Sequence, residues 1–255
     1  MKIRVALVAV ALLALLSTTL ASAETFVQSS ADARLVLGLV VSAPAAQASL
    51  PPDWQPAPPP SGPSTGANLL LIFIDGLSLF DAQGKPTAGG LNRFVVAAIP
   101  ATNPKTGASG AMIIGGFAAH PDGAPGAYKN YSVAQISHER TVRTDGQGPG
   151  NTDESWQLRD ASGATLNLRL GYDRMMPTRI KADSKVYSAV EPAFFRIYRV
   201  EQGVDVVKST VTGTDRVRNY EFRSTLGAFA KLLDGNEKLV SITSLPWYVR
   251  QVFLP

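Results

Sequence analysis

A lysine is the first residue of this chain whose setting could support chemistry. Lys208 ends the stretch Val204-Asp205-Val206-Val207-Lys208, where strand alternation would place its amine on the same face as Val204 and Val206. Apolar surroundings lower the pKa of an amine and leave it free to act as a nucleophile. Lys208 is therefore the candidate catalytic residue, and the alternative is a lysine at the rim of a strand.

The two histidines do not form a recognisable catalytic or metal-binding set. His120 begins His-Pro-Asp-Gly, which is typical of an exposed turn, and His138 lies in a strand pattern beside Glu139 and Arg140. The chain has no cysteine and no Gly-x-Ser-x-Gly motif. We therefore expect no disulfide, no metal ion and no cofactor, and at His138 a solvated or core histidine rather than a catalytic one.

Aromatic residues supply a second group of candidates. Trp156, Phe194, Tyr198 and Trp247 could line an apolar cavity that binds a small apolar or amphipathic molecule. The alternative is that these side chains belong to the ordinary core of the protein, which is where large aromatic residues are more often found.

The N-terminus has the pattern of an export signal. Lys2 and Arg4 begin an apolar run over residues 5–20, and Ala21-Ser22-Ala23 supplies the small residues that a signal peptidase needs. We predict cleavage near Ala23 and a periplasmic or secreted mature chain. Neither this run nor any later one suits a membrane span, which needs about 18 apolar residues, so no transmembrane anchor is expected.

Charge argues against a nucleic-acid partner. Removal of residues 1–23 takes away two basic residues and lowers the formal charge from +4 to +2. A nearly neutral chain offers no strong field to attract nucleic acid or an anionic membrane. The oligomeric state is left open by the sequence.

Turn residues and period-two patterns predict a mainly β protein. Residues 24–34 are interpreted as a flexible lead-in, followed by a single β-rich domain over 35–255 with a proline-rich loop at 55–66. Residues 165–170 alternate apolar and polar side chains, as in a strand with one wet face. Short helices are expected near the N-terminus, over 43–50, and near the C-terminus, over 225–233. The predicted fold is an antiparallel β-barrel or sandwich with minor α content.

Three segments resemble the acetoacetate decarboxylase-like β-barrel superfamily. Residues 41–51, ending in Leu50-Pro51, are similar to its early helix, and Gly126-Ala127-Tyr128 is similar to its Gly-Pro-Tyr turn. The series of strands closing on residues 246–255 also fits, so the resemblance covers about residues 35–255. It implies a barrel and, in the decarboxylases, a lysine that forms a Schiff base with a keto acid. Their Gly-x-Pro-Lys segment is absent here, and Lys208 is the residue best placed to replace it.

Three hypotheses of function follow from these patterns. The leading one is an exported β-barrel protein that binds a small apolar or amphipathic ligand without changing it. The first alternative is a Schiff-base decarboxylase or lyase that acts on a keto acid. The second is a structural or partner-binding envelope protein whose proline-rich segment, residues 55–66, contacts the partner.

Overall fold

The computed structural model describes residues 24–87 and 91–255, which form strands over most of their length. The predicted export signal lies outside the described residues. The strands are β1 Thr25–Val40, β2 Gln55–Pro56, β3 Leu69–Asp81, β4 Arg93–Asn103, β5 Ala108–Ala118, β6 Tyr131–Val133, β7 Gln135–Arg143, β8 Asn151–Arg159, β9 Thr165–Asp173, β10 Thr178–Ser188, β11 Phe195–Ser209, β12 Thr214–Asp215, β13 Val217–Ser224 and β14 Lys238–Leu254. The helical elements are α1 Ala43–Ala48 and single 3-10 turns at Pro121–Gly123 and Gly227–Phe229.

Seven long strands pair side by side until the sheet closes into a ring. Around the ring the order is β4, β3, β1, β14, β11, β10 and β5, with β5 pairing back to β4. Every contact in the ring is antiparallel except that of β10 with β5, which is parallel over three residue pairs. Because side chains alternate along a strand, each strand directs every second side chain inward. One apolar cluster draws on all seven strands: Val36, Ile72, Val96, Ile113, Val186, Tyr198 and Val252.

A second, four-stranded antiparallel sheet packs on the outside of the ring. Its order is β13, β9, β8 and β7. Leu166, Leu168 and Leu170 of β9 are buried against the ring, which confirms the wet and dry faces predicted for residues 165–170. Trp156 of β8 and Phe73 of β3 meet across this layer with ring centroids 5.5 Å apart.

The mainly β fold and the early helix are confirmed, whereas several boundaries differ from prediction. Residues 25–34 are the first half of β1 rather than a flexible lead-in, because β3 and β14 pair with them on both sides. β3 runs through Asp75-Gly76 as far as Asp81.

The helix expected over 225–233 is the largest local error. Only Gly227–Phe229 are helical, as one 3-10 turn. Leu226, Phe229 and Leu233 are buried as expected of an apolar helix face, but an irregular turn buries them equally well. Gly227, which weakens a helix by about 1 kcal/mol, favours this outcome.

No helix in the described part of the chain is both long and apolar enough to cross a membrane.

A buried histidine connects the outer sheet to the ring. His138 of β7 has its Nδ1 3.5 Å from an Asp75 oxygen on β3 and its Nε2 3.1 Å from Glu154 Oε1 on β8. Its ring stacks on Trp156 with centroids 4.0 Å apart. Burial lowers the pKa of His138, but the hydrogen bonds to Asp75 and Glu154 raise it by more; the same hydrogen bond lowers the pKa of Asp75. The ion pair of His138 and Asp75 therefore stabilises the contact between the outer sheet and the ring.

We expect His138→Phe, which keeps the stacking but removes both hydrogen bonds, to lower the free energy of unfolding by about 1–3 kcal/mol at pH 5. Because the pKa of His138 is raised in the folded protein, His138 stabilises the fold at pH values below its ordinary pKa, and this contribution is lost as the pH rises through the folded pKa. Because the pKa of Asp75 is lowered, Asp75 stabilises the fold at pH values above its own ordinary pKa. The loss should therefore be greatest between about pH 4 and pH 6.5.

Urea unfolding at pH 5 and pH 8 measures this difference. The matched control is His120→Phe, at an exposed turn, which should change stability by less than about 0.5 kcal/mol. An equal loss for His138→Phe at both pH values would show that the charge of His138 does not hold the sheets together.

Candidate active site

The interior of the ring contains a cavity of about 430 Å³. Residues of β1, β3, β4 and β11, together with Arg250 of β14, form its wall, and residues 122–128 cover one side. This covering segment includes the Gly126-Ala127-Tyr128 turn. The charged and phenolic side chains on the wall are Asp32, Arg34, Asp122, Tyr128, Tyr131, Arg196, Tyr198 and Arg250.

One of the three arginines is neutralised by a neighbour on its own strand. Asp32 and Arg34 are two residues apart on β1, so both face the cavity. Arg34 donates from Nε and Nη2 to the two Asp32 oxygens, at 2.5 Å and 3.0 Å. Its guanidinium carbon lies 3.5 Å from the centroid of the Tyr248 ring. Burial lowers the pKa of Arg34, but Asp32 and Tyr248 raise it by more, so Arg34 remains a cation.

The other two arginines have no anionic partner among the described residues. Arg250 stacks on Tyr198, with 4.5 Å from guanidinium carbon to ring centroid, and donates from Nε to Ser30 Oγ at 3.2 Å. Arg196 donates to Gln28 Oε1 at 3.4 Å, and its buried Nε has no partner. No described carboxylate oxygen lies within 4.0 Å of either guanidinium. Both residues are half-buried, and a cation that is partly removed from water without a counter-ion can bind an anion favourably.

Three phenols, those of Tyr128, Tyr131 and Tyr198, complete the wall. The hydroxyls of Tyr128 and Tyr198 share a hydrogen bond. Burial, and then the neighbouring Tyr198, raise the pKa of Tyr128, and burial also raises the pKa of Tyr131. Tyr128 and Tyr131 therefore stay protonated at neutral pH and can donate hydrogen bonds to a bound oxygen.

Of the four predicted ligand-binding aromatics, Tyr198 lines the cavity. Phe194 is not part of the cavity wall; its ring packs edge-on against Tyr128, with the ring centroids 6.1 Å apart. Trp156 is 1% exposed and lies between the ring and the outer sheet, where Nε1 donates to Glu154 Oε1 at 2.8 Å. Trp247 is half-buried on β14 and is not part of the cavity wall.

The predicted nucleophile lies elsewhere. Lys208 is half-buried on β11, just after a shift in register with β14, and its amine pairs with Asp215 of β12. No lysine of residues 24–87 and 91–255 lines the cavity inside the ring. Lys185 lines a more open cavity of about 610 Å³ outside it, where its Nζ is 5.2 Å from the centroid of the Phe195 ring.

The three arginines were missed by the sequence analysis. Asp32 and Arg34 fall in the segment interpreted as a lead-in, and Arg250 falls in the closing strand. Their spacing could have identified them, because charged residues two positions apart in a strand point to the same face of the sheet. In Tyr248-Val249-Arg250 that face carries a phenol and a cation, which is unusual for an apolar interior.

Comparison with known proteins identifies the fold. No family model and no curated protein matches the sequence. Among solved structures, the enduracididine biosynthesis enzyme MppR complexed with pyruvate is similar, with a TM-score of 0.58 and 13% identity over 89% of this chain and 88% of that one. An acetoacetate decarboxylase-like enzyme from Sphingomonas wittichii RW1 gives 0.56 and 11% identity over 89% and 90%. Acetoacetate decarboxylase from Legionella pneumophila gives 0.52 and 13% identity over 91% and 87%.

The chain therefore has the acetoacetate decarboxylase-like fold, and the resemblance stated from the sequence is confirmed at that level. The leading hypothesis, a non-catalytic carrier of an apolar or amphipathic molecule, is wrong. The solved structures that share the fold are enzymes, which contradicts a non-catalytic carrier. The cationic cavity wall also does not suit an apolar ligand.

We expect Asp32→Asn to destabilise the protein by about 3 kcal/mol, because it leaves the Arg34 charge without its partner inside the ring. The double variant Asp32→Leu with Arg34→Met should recover most of this loss, since it removes both charges together. Thermal unfolding at pH 7 compares the two proteins. A change below about 0.5 kcal/mol for Asp32→Asn would show that Arg34 needs no counter-ion.

Proposed function

We propose that this protein is a lyase that binds a small keto acid in the cavity of the ring. The observation that carries the proposal is the pair of guanidiniums without counter-ions, Arg196 and Arg250, beside the phenols of Tyr128 and Tyr198. Guanidiniums bind carboxylates well, and phenols donate to a carbonyl oxygen. Support also comes from MppR, which has this fold and has been crystallised with pyruvate.

The chemistry proposed for this wall is stabilisation of an enolate. The carboxylate of the keto acid pairs with Arg250, and the keto oxygen accepts from the Tyr128–Tyr198 pair. Asp122, the cavity carboxylate that no arginine neutralises, takes a proton from the carbon next to the carbonyl. The electron pair of that C–H bond moves to the keto oxygen, where preorganised cations and phenols stabilise the negative charge. The resulting enolate can be protonated again or can form a carbon–carbon bond.

Solvent exchange tests this step without knowledge of the second substrate. Pyruvate incubated with the protein in deuterated water should exchange its methyl protons, followed by proton magnetic resonance. Arg250→Met should slow the exchange by about 100-fold, the usual effect of losing one charge-stabilising group. The matched control, Arg223→Met on the exposed face of β13, should keep the full rate. No exchange above the buffer rate for any small keto acid would overturn the proposed function.

A borohydride experiment in the same samples separates enolate from Schiff-base chemistry. Because no described lysine lines the cavity, reduction in the presence of pyruvate should leave the mass of the protein unchanged. Attachment of one pyruvate to Lys208 or Lys185 would assign the reaction to an imine at that lysine instead.

We also propose that the enzyme works outside the cytoplasm. Cleavage after Ala23 would leave Glu24 as the first residue, immediately before β1, with its carboxylate 2.5 Å from an Arg199 nitrogen. Expression of the full chain in a bacterium should give a periplasmic protein whose mass corresponds to residues 24–255. Recovery of the uncleaved chain in the cytoplasmic fraction would contradict export.

A further inference from the structure

We infer that the substrate carries two acid groups, so that a keto dicarboxylate bridges Arg250 and Arg196. This inference rests on the proposed function and adds the substrate class. It assigns Arg196 and Gln28 to a second acid subsite, separate from the one that holds the carboxylate beside the keto group.

The charges of the cavity wall carry the first part of the argument. Asp32 neutralises Arg34, so Arg196 and Arg250 remain as two positive charges without counter-ions among the described residues. Asp122 faces the mouth, is about half exposed and contacts His120, so it does not neutralise either arginine. A monocarboxylate would leave one half-buried guanidinium without a counter-ion, which is less favourable than pairing it. A dicarboxylate satisfies both.

The positions of the two cations carry the second part. Arg196 and Tyr198 point from the same face of β11, with α-carbons about 7 Å apart by strand geometry. Arg250 lies over the ring of Tyr198 from the neighbouring strand β14. The phenol proposed to bind the keto oxygen therefore lies between the two cations, which suits an acid group at each end of a short keto acid.

The polar partners of Arg196 identify the subsite further. Its Nε is buried without a partner, and its contact with Gln28 Oε1 is long, at 3.4 Å. The guanidinium thus retains free donors, while the side-chain amide of Gln28 can donate to a second oxygen of the same acid group. A cavity of about 430 Å³ also exceeds what pyruvate alone would fill and accommodates a five-carbon diacid.

Two keto acids of the same chain length test the inference. 2-Oxoglutarate and 2-oxopentanoate differ in the distal carboxylate, so proton exchange at carbon 3 is compared between them in deuterated water. We expect kcat/KM to be at least about 10-fold higher for the diacid. Arg196→Met should abolish this preference, because KM for 2-oxoglutarate should rise at least about 10-fold more than KM for 2-oxopentanoate.

Gln28→Glu provides a second variant, because it places a carboxylate beside Arg196 and should remove the preference without deleting the arginine. Arg223→Met is the control that keeps it. Equal exchange of the two acids by the unmodified protein would overturn the inference and leave the proposed function intact. If neither these two acids nor pyruvate exchange, the proposed function fails. Calorimetric titration with glutarate and pentanoate then decides the subsite: equal affinity or no binding overturns it, and a 10-fold preference for glutarate supports it.

Discussion

Closure of seven strands into a ring is the constraint from which the rest of this structure follows. Once the sheet has closed, every second side chain of each strand must face a shared interior with little access to water. Apolar residues fill most of that space. Charged side chains there need either a partner within the protein or a bound ligand of opposite charge, because an unpaired charge away from water costs free energy.

The interior is organised by how each cation meets this requirement. Arg34 is paired on its own strand by Asp32 and is packed against Tyr248, so it belongs to the fold as much as to the cavity. Arg250 and Arg196 receive only neutral partners, Ser30 and Gln28. This division between satisfied and unsatisfied cations distinguishes the part of the wall that supports the fold from the part that we propose to bind substrate.

Much of the fold was predictable because its strands follow local rules. The alternation of Thr165–Leu170 indicated one buried face, and the turn at Asp160–Gly163 has the backbone geometry that its residues favour, with Gly163 at a φ of 86°. Partners distant in sequence decided the rest. Residues 25–34 are mostly small or polar and show no clear period-two pattern, yet β3 and β14 pair with them on both sides. The prediction of a helix over residues 225–233 was wrong for the same reason, since tertiary burial of Leu226 and Phe229 outweighed the local helical pattern.

The site was harder to predict than the fold. Tyr198 was selected for its aromatic ring, whereas its role in the wall comes from its hydroxyl and from the cation above it. The sequence predicts Lys208 as a Schiff-base nucleophile, whereas its amine pairs with Asp215. The groups that line the cavity instead suit the stabilisation of negative charge. Recognition of such a site requires knowing which strands face one another, and that information is not local.

The central claim is that the unpaired guanidiniums inside the ring bind the acid group of a substrate. A crystal structure of the protein soaked with a keto acid measures this most directly. The account predicts a carboxylate within hydrogen-bonding distance of the Arg250 guanidinium, with the keto oxygen beside the hydroxyls of Tyr128 and Tyr198. An acid bound elsewhere, or Arg250 paired with a carboxylate of the protein itself, would contradict it.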